Sequence, residues 1–199
     1  MHNFYKKVLK FFKPLVIWTG RIHWPYSRKQ IDGKFYYKVR DVIRPGTVLL
    51  TTTYGELSNL INPVDIKHAG IYVGKAMDGI YYVNEATSKG VIKTDLVTFL
   101  TTKDVVVAVN PNFLTEADYG QLAPNADKFL GLPYDYFFEK GLNALYCFEN
   151  VVSVFQSLRP ELNYKCIEIV KGKRIYDHTT FMGDTTLFTL VFDSRKMNL

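Results

Sequence analysis

The sequence is poor in the residues that build covalent or metal-held scaffolds. Of its 199 residues only two are cysteine, Cys147 and Cys166, and only four are histidine. Two thiols cannot make a disulfide framework, and neither their spacing nor their surroundings match a metal-ligand set. A reducing compartment is therefore the simpler expectation. Long apolar runs are missing too: no stretch approaches the roughly 20 residues that cross a bilayer. The apolar segment near the start, Leu15-Val16-Ile17-Trp18, is brief and lacks a small-residue cleavage site, so no signal peptide is read and a cytoplasmic location is expected. No dense Lys/Arg run with interleaved aromatics is present, which argues against a nucleic-acid module. Repeats, low-complexity tracts and linkers are also absent.

What remains is an ordinary globular composition, 47% hydrophobic and 22% charged, in a chain long enough for one well-cored domain and short for two. The net charge of +6 reads first as a solvated basic surface. A sharper reading is attraction to an anionic partner such as lipid head groups or a cell-wall polymer. Phe4, Val8, Phe11 and Leu15 recur at helical spacing among Lys6, Lys7, Lys10 and Lys13, which predicts an amphipathic helix over 3–13 ended by Pro14. Residues 1–40 thus form a basic aromatic extension. Docking on its own domain is the expected fate of such a helix, although residues 1–20 would also suit peripheral contact with an anionic membrane surface. His2 and His23 are read as surface groups.

Further along, Thr47–Thr52 is β-branched and apolar and predicts a buried strand. Residues 54–66 read as a loop with a helical piece over Leu57–Ile61, stopped by Pro63. Lys67–Gly74 and Ile80–Ala86 alternate as strands about a turn containing Asp78-Gly79. Asp104–Val109 predicts another strand. Thr115 reads as the N-cap of a helix interrupted by Pro124 and reaching Leu130. A second helix is expected over 143–158, and a strand over Thr186–Phe192. Strands mostly in antiparallel succession, with helices between and after them, make the fold class α+β.

The hairpin is where chemistry gathers. Pairing Val73 with Ile80 would set His68 directly opposite Glu85, within hydrogen-bond reach across an antiparallel pair. In the helix over 143–158, Cys147, Val151, Val154 and Leu158 form one apolar stripe, so Cys147 points inward near the helix N-terminus, where free N–H groups favour a thiolate. A buried cysteine more often only fills space. Here a base and a carboxylate that can orient it accompany the thiol, and together they make a nucleophilic triad. Cys166 has no helix start behind it and reads as structural. His178 beside Asp177 reads as a solvated turn. No metal is indicated, because His68 and Glu85 lack a third ligand of suitable type nearby.

Pro45-Gly46-Thr47-Val48-Leu49-Leu50, then Leu57-Ser58-Asn59-Leu60-Ile61, then Lys67-His68-Ala69-Gly70-Ile71-Tyr72-Val73-Gly74 resemble the opening of the permuted papain-like cysteine hydrolases, the YiiX-like branch of the NlpC superfamily. Asn84-Glu85-Ala86-Thr87, Gly131-Leu132-Pro133-Tyr134-Asp135 and Tyr146-Cys147-Phe148-Glu149 continue the likeness over residues 44–155, with 156–199 expected to supply strands that complete the sheet. The resemblance implies a small antiparallel sheet or half-barrel with the cysteine helix packed against it. It implies Cys147 as nucleophile, His68 as general base and Glu85 as orienter, with no cofactor. Phe148 stands where the family usually has a small hydroxyl residue. Oxyanion or pocket roles fall to Tyr72, Tyr146 and Asp135. The expected activity is hydrolysis of an amide or ester through an acyl-cysteine, on a cell-wall peptide or an acylated amine. A membrane-associated thiol acyltransferase or lipase, and a silent binding or structural module of the same fold, are the alternatives.

Overall fold

Five consecutive buried residues, Val48–Thr52, form strand β1, and their β-branched and apolar character suits a strand covered on both faces. The computed structural model describes residues 33–54, 65–139, 141–170 and 173–196. The predicted helices over 3–13 and Leu57–Ile61 lie outside the described residues, as do His2 and His23.

In chain order the elements are α1 (Gly33–Arg40), β1, β2 (His68–Lys75), β3 (Tyr81–Thr87), β4 (Gly90–Asp95), α2 (Leu96–Thr101), β5 (Val105–Pro111), α3 (Glu116–Asp127), α4 (Cys147–Leu158), β6 (Ile167–Val170), β7 (Lys173–Ile175), α5 (His178–Met182) and β8 (Phe188–Asp193). Six strands make one antiparallel sheet in the order β4-β3-β2-β1-β5-β8, while β6 and β7 form a separate hairpin.

Alternation along the strands splits the interior in two. Val48, Leu50, Ala69, Ile71, Val107 and Val109 face α3, α4 and α5, and this larger core includes Val151, Val154 and Phe155 of α4. Leu49, Tyr72, Val83, Val106 and Ala108 face the other way, against α1 and α2 through Phe35, Val39, Leu96, Phe99 and Leu100. No helix among the described residues is long and apolar enough to cross a membrane.

Helix α3 starts where Thr115 donates its backbone N–H to the Asp118 carboxylate at 2.7 Å, and it continues through Pro124 instead of breaking there. Helix α4 begins at Cys147 itself, where its apolar stripe starts and four residues later than the expected span of 143–158, because Tyr146 holds extended backbone as the N-cap. Strand β4 and helix α2 were not anticipated. Asp95 ends the one and caps the other, its carboxylate accepting from the Thr98 N–H at 2.8 Å.

Candidate active site

Cys147 is the first residue of α4, and 3% of it is exposed. Its backbone N–H is one of the donors that a helix start leaves without an internal partner. The apolar stripe of Val151, Val154 and Phe155 presses α4 onto the sheet and so carries the thiol to the end of β2. There the strand opens with His68, half-buried, which hydrogen-bonds to Cys147. The Ala69 N–H also donates to the Cys147 sulfur, and the Lys67 carbonyl lies 3.9 Å from it.

On its other side the imidazole meets Glu85: Nε2 of His68 is 2.7 Å from Oε2. With Nε2 committed there, Nδ1 is the nitrogen left for the thiol. The second Glu85 oxygen accepts from the Thr94 hydroxyl at 2.5 Å, so the carboxylate is held at both ends. The ring of Phe99 flanks the imidazole at a centroid distance of 6.1 Å.

The expected register is corrected here. Glu85 stands opposite Gly70, not His68, because beside the turn the hairpin pairs Lys75 with Tyr81 rather than Val73 with Ile80. The bulge between Tyr72 and Gly74 then slips the pairing by one residue and brings Glu85 onto the face of His68. Gly74 takes φ 98°, a conformation that favours glycine. His68 therefore reaches Glu85 along the diagonal. The bond survives because that neighbour shares the same face and lies within reach of a long side chain.

Electrostatics follow from these contacts. Burial opposes charge on His68, but its bonds to Cys147 and Glu85 outweigh that and raise it to about 9. Burial likewise disfavours the Glu85 carboxylate, yet the hydrogen bond and charge of His68 bring it down to about 2. Burial pushes the Cys147 thiol up. The hydrogen bond and charge of His68, the Ala69 N–H and the Tyr134 hydroxyl pull it further the other way, leaving it below its ordinary value. The arrangement holds a thiolate against an imidazolium.

Tyr134 is the residue that sequence reasoning missed. Its hydroxyl bonds to the Cys147 sulfur and accepts from the Cys147 backbone N–H. Burial first, and then the nearby Cys147 charge, push its pKa well above the ordinary tyrosine value, so it stays a donor. Its backbone is fixed by a parallel bridge to Leu145, with Leu145 N–H donating to the Pro133 carbonyl at 3.0 Å and Asp135 N–H to the Leu145 carbonyl at 3.2 Å. Asp135, buried, accepts from the Phe137 and Glu139 N–H groups and so shapes the loop that carries Tyr134. Tyr134 lay within a stretch already singled out, one position before the aspartate that drew notice.

The other two tyrosines are placed elsewhere. Tyr72 packs in the smaller core with its ring 6.4 Å from that of Tyr81. Tyr146 is buried, and its hydroxyl accepts the Tyr176 N–H at 2.6 Å, which ties the C-terminal segment to the start of α4. Cys166 is half-exposed, 3.6 Å from the Tyr164 carbonyl. Asp177 caps α5, accepting from the Thr179 N–H at 2.9 Å, and His178 opens that helix rather than a solvated turn.

Comparison with known proteins places the chain by family and fold. The sequence profile of the permuted papain-like amidases, the YaeF/YiiX or C92 family, matches residues 42–180. The chain belongs to this family. A crystal structure of the metalloprotein YiiX from Escherichia coli O157:H7 superposes with a TM-score of 0.64 at 19% identity, covering 77% of this chain and 98% of that one. Among curated proteins none matches. The mixed α/β fold, with its six-stranded antiparallel sheet, is thus a YiiX-like papain fold. Among the described residues of this C92 member, no group of three or more His, Cys, Asp or Glu is placed to hold a metal ion. His68 lies between the other two, meeting Cys147 on one side and Glu85 on the other.

Proposed function

We propose that this permuted papain-like amidase hydrolyses amide bonds through an acyl-cysteine at Cys147. The observation that carries the reading is the closed contact Cys147–His68–Glu85, with the thiol at a helix N-terminus. The substrate class that fits is a peptide or an acylated amine, one that presents a carbonyl carbon to a buried sulfur.

The Cys147 thiolate attacks that carbonyl, and the C=O electron pair moves onto oxygen. The Cys147 N–H and the Tyr134 hydroxyl, already beside the sulfur, receive the oxyanion. As the tetrahedral adduct collapses, the C–N bond breaks and Nδ1–H of His68 protonates the leaving amine. Neutral His68 then takes a proton from water, whose oxygen attacks the thioester. Collapse returns the carboxylic acid product and the thiolate. Glu85 holds the imidazole in one orientation through both proton transfers.

The test is alkylation of the two thiols against pH, read by mass spectrometry, in wild type and His68→Ala, with Cys166 as internal control. Incubation with a panel of peptides and N-acyl amides runs alongside it. Rapid modification of Cys147 below pH 7, lost in His68→Ala, together with an acyl adduct on the Cys147 peptide, is the expected result. A Cys147 that titrates like Cys166 and never carries an acyl group would overturn the reading.

A further inference from the structure

The larger core holds a polar pair where apolar contact is the rule. Asn84 of β3 and Asn150 of α4 are both fully buried, and the Asn150 amide donates to the Asn84 side-chain oxygen at 2.7 Å. Asn84 in turn donates to the Ala126 carbonyl in the last turn of α3, at 3.2 Å. The Asn150 side-chain oxygen has no hydrogen-bond partner among the described residues. A buried amide left partly unsatisfied costs stability, so packing alone gives no reason for it.

The pair's place in the chain gives one. Asn150 follows Cys147 by three residues, which puts both on the same side of α4. Asn84 precedes Glu85 by one, and consecutive strand residues face opposite ways. Glu85 reaches His68 on one face of the sheet, while Asn84 reaches α4 on the other. His68 bonds back to Cys147. The contacts run in a ring, from thiol through helix, amide pair, strand, carboxylate and imidazole to thiol again. Apolar packing would let α4 slide or roll by fractions of an ångström, whereas a hydrogen bond of fixed length and direction does not.

We propose that Asn84 and Asn150 are positioning residues which set the distance and angle between the Cys147 thiol and the His68 imidazole. The proposal rests on the thiolate–imidazolium reading of the site. Neither amide touches the reacting atoms; both act through the elements that carry them. Among the described residues, the Asn150–Asn84 bond is the directional side-chain contact between α4 and β3.

The experiment is the pH profile of Cys147 alkylation in Asn84→Leu, Asn150→Leu and Asn84→Asp, on the full chain, with Cys166 as internal control and thermal melting recorded for each. An aspartic acid buried in this setting stays protonated. It can therefore accept from Asn150 and donate to the Ala126 carbonyl as asparagine does. Asn84→Leu and Asn150→Leu are expected to slow Cys147 alkylation at pH 6 about tenfold, since one unit of thiol pKa changes the thiolate fraction by that factor. Cys166 should be unchanged, and Asn84→Asp should restore the Cys147 profile. Where a leucine variant does not fold, Asn84→Ala and Asn150→Ala serve, because they remove the bond without adding bulk.

A folded variant lacking the amide bond but keeping the wild-type Cys147 profile overturns the proposal, however far its melting temperature falls, and leaves the catalytic reading standing. A wild-type Cys147 that behaves like Cys166 overturns both.

Discussion

Nε2 of His68 lies 2.7 Å from Oε2 of Glu85, although the residue directly across from Glu85 is Gly70. The imidazole leans past a position that has no side chain. A Cβ placed on Gly70 would come within 2.6 Å of Val83 Cγ1 and 3.1 Å of the Phe99 ring, the same ring that flanks His68. Gly70→Ala is therefore expected to cost about 1–3 kcal/mol by overpacking. It should also disturb His68 through Phe99. Melting together with Cys147 alkylation checks this; a variant unchanged in both would show that the gap is not needed.

Glu85→Gln keeps the shape of the orienter and removes its charge. Without the carboxylate, the proton on His68 should become easier to lose by about 1–3 pH units, the usual reach of a close opposite charge. In wild type, the alkaline limb of the rate should fall near pH 9, where His68 gives up its proton. The acid limb should lie below the ordinary thiol range. The limbs belong to the Cys147–His68 pair rather than to either group alone. A pH–rate profile of kcat/KM in both proteins tests this, and an alkaline limb that stays put in Glu85→Gln would remove Glu85 from the role.

Tyr134→Phe deletes one hydroxyl and little volume. Loss of one oxyanion donor costs on the order of 100–1,000-fold in kcat. Since Tyr134 meets both the sulfur and the N–H of Cys147, a fall of that size in kcat with KM nearly unchanged is expected. Full activity in Tyr134→Phe would return the oxyanion to the backbone alone.

Glu149 offers a stability test separate from catalysis. It sits in the first turn of α4, where burial, and then the neighbouring Asp135, raise its carboxyl to about 7. A carboxyl raised in the folded state binds its proton there while the unfolded chain has released it. Stability is thus lost as pH climbs from 4.5 towards 7. Glu149→Gln should accordingly melt higher than wild type at pH 8 and nearly equal to it at pH 4. Glu85 gives the opposite slope further down: its contribution is complete above 4.5 and disappears as pH falls through about 2. Melting curves across the range separate the two, and a Glu149→Gln variant less stable at pH 8 would refute the first.

Much of this arrangement could be read from residues alone, and the failures have physical causes. Strands β2 and β3 and the stripe of α4 declare themselves by period, because each has one face in the large core. The register of the hairpin could not be counted from Asp78-Gly79, since the strands already pair Lys75 with Tyr81 beside the turn. A bulge between Tyr72 and Gly74 then slips them by one, and alternation reveals neither. Strand β4 is an edge strand, half-buried over most of its length, so its alternation is faint. Helix α2 is only six residues, and Val97, Thr98, Phe99 and Thr101 among them are weak helix formers held by the Asp95 cap. Helix α1 hides behind tyrosines and a phenylalanine that suggest strand, with only Phe35 and Val39 buried one turn apart. Tyr134 owes its position to a bridge with Leu145 and to the turn around Asp135, contacts that no local pattern records.

The order of the triad along the chain has a consequence for synthesis. His68 and Glu85 lie on neighbouring strands joined by a tight turn, whereas Cys147 follows long after them. A ribosome adding about 5–20 residues per second delivers the base and its carboxylate seconds before the sulfur. The thiol owes its acidity to His68, the Ala69 N–H and Tyr134, so it emerges as an ordinary cysteine and becomes a nucleophile only when α4 docks. The growing polypeptide is thereby spared a reactive sulfur until the fold that restrains it has closed.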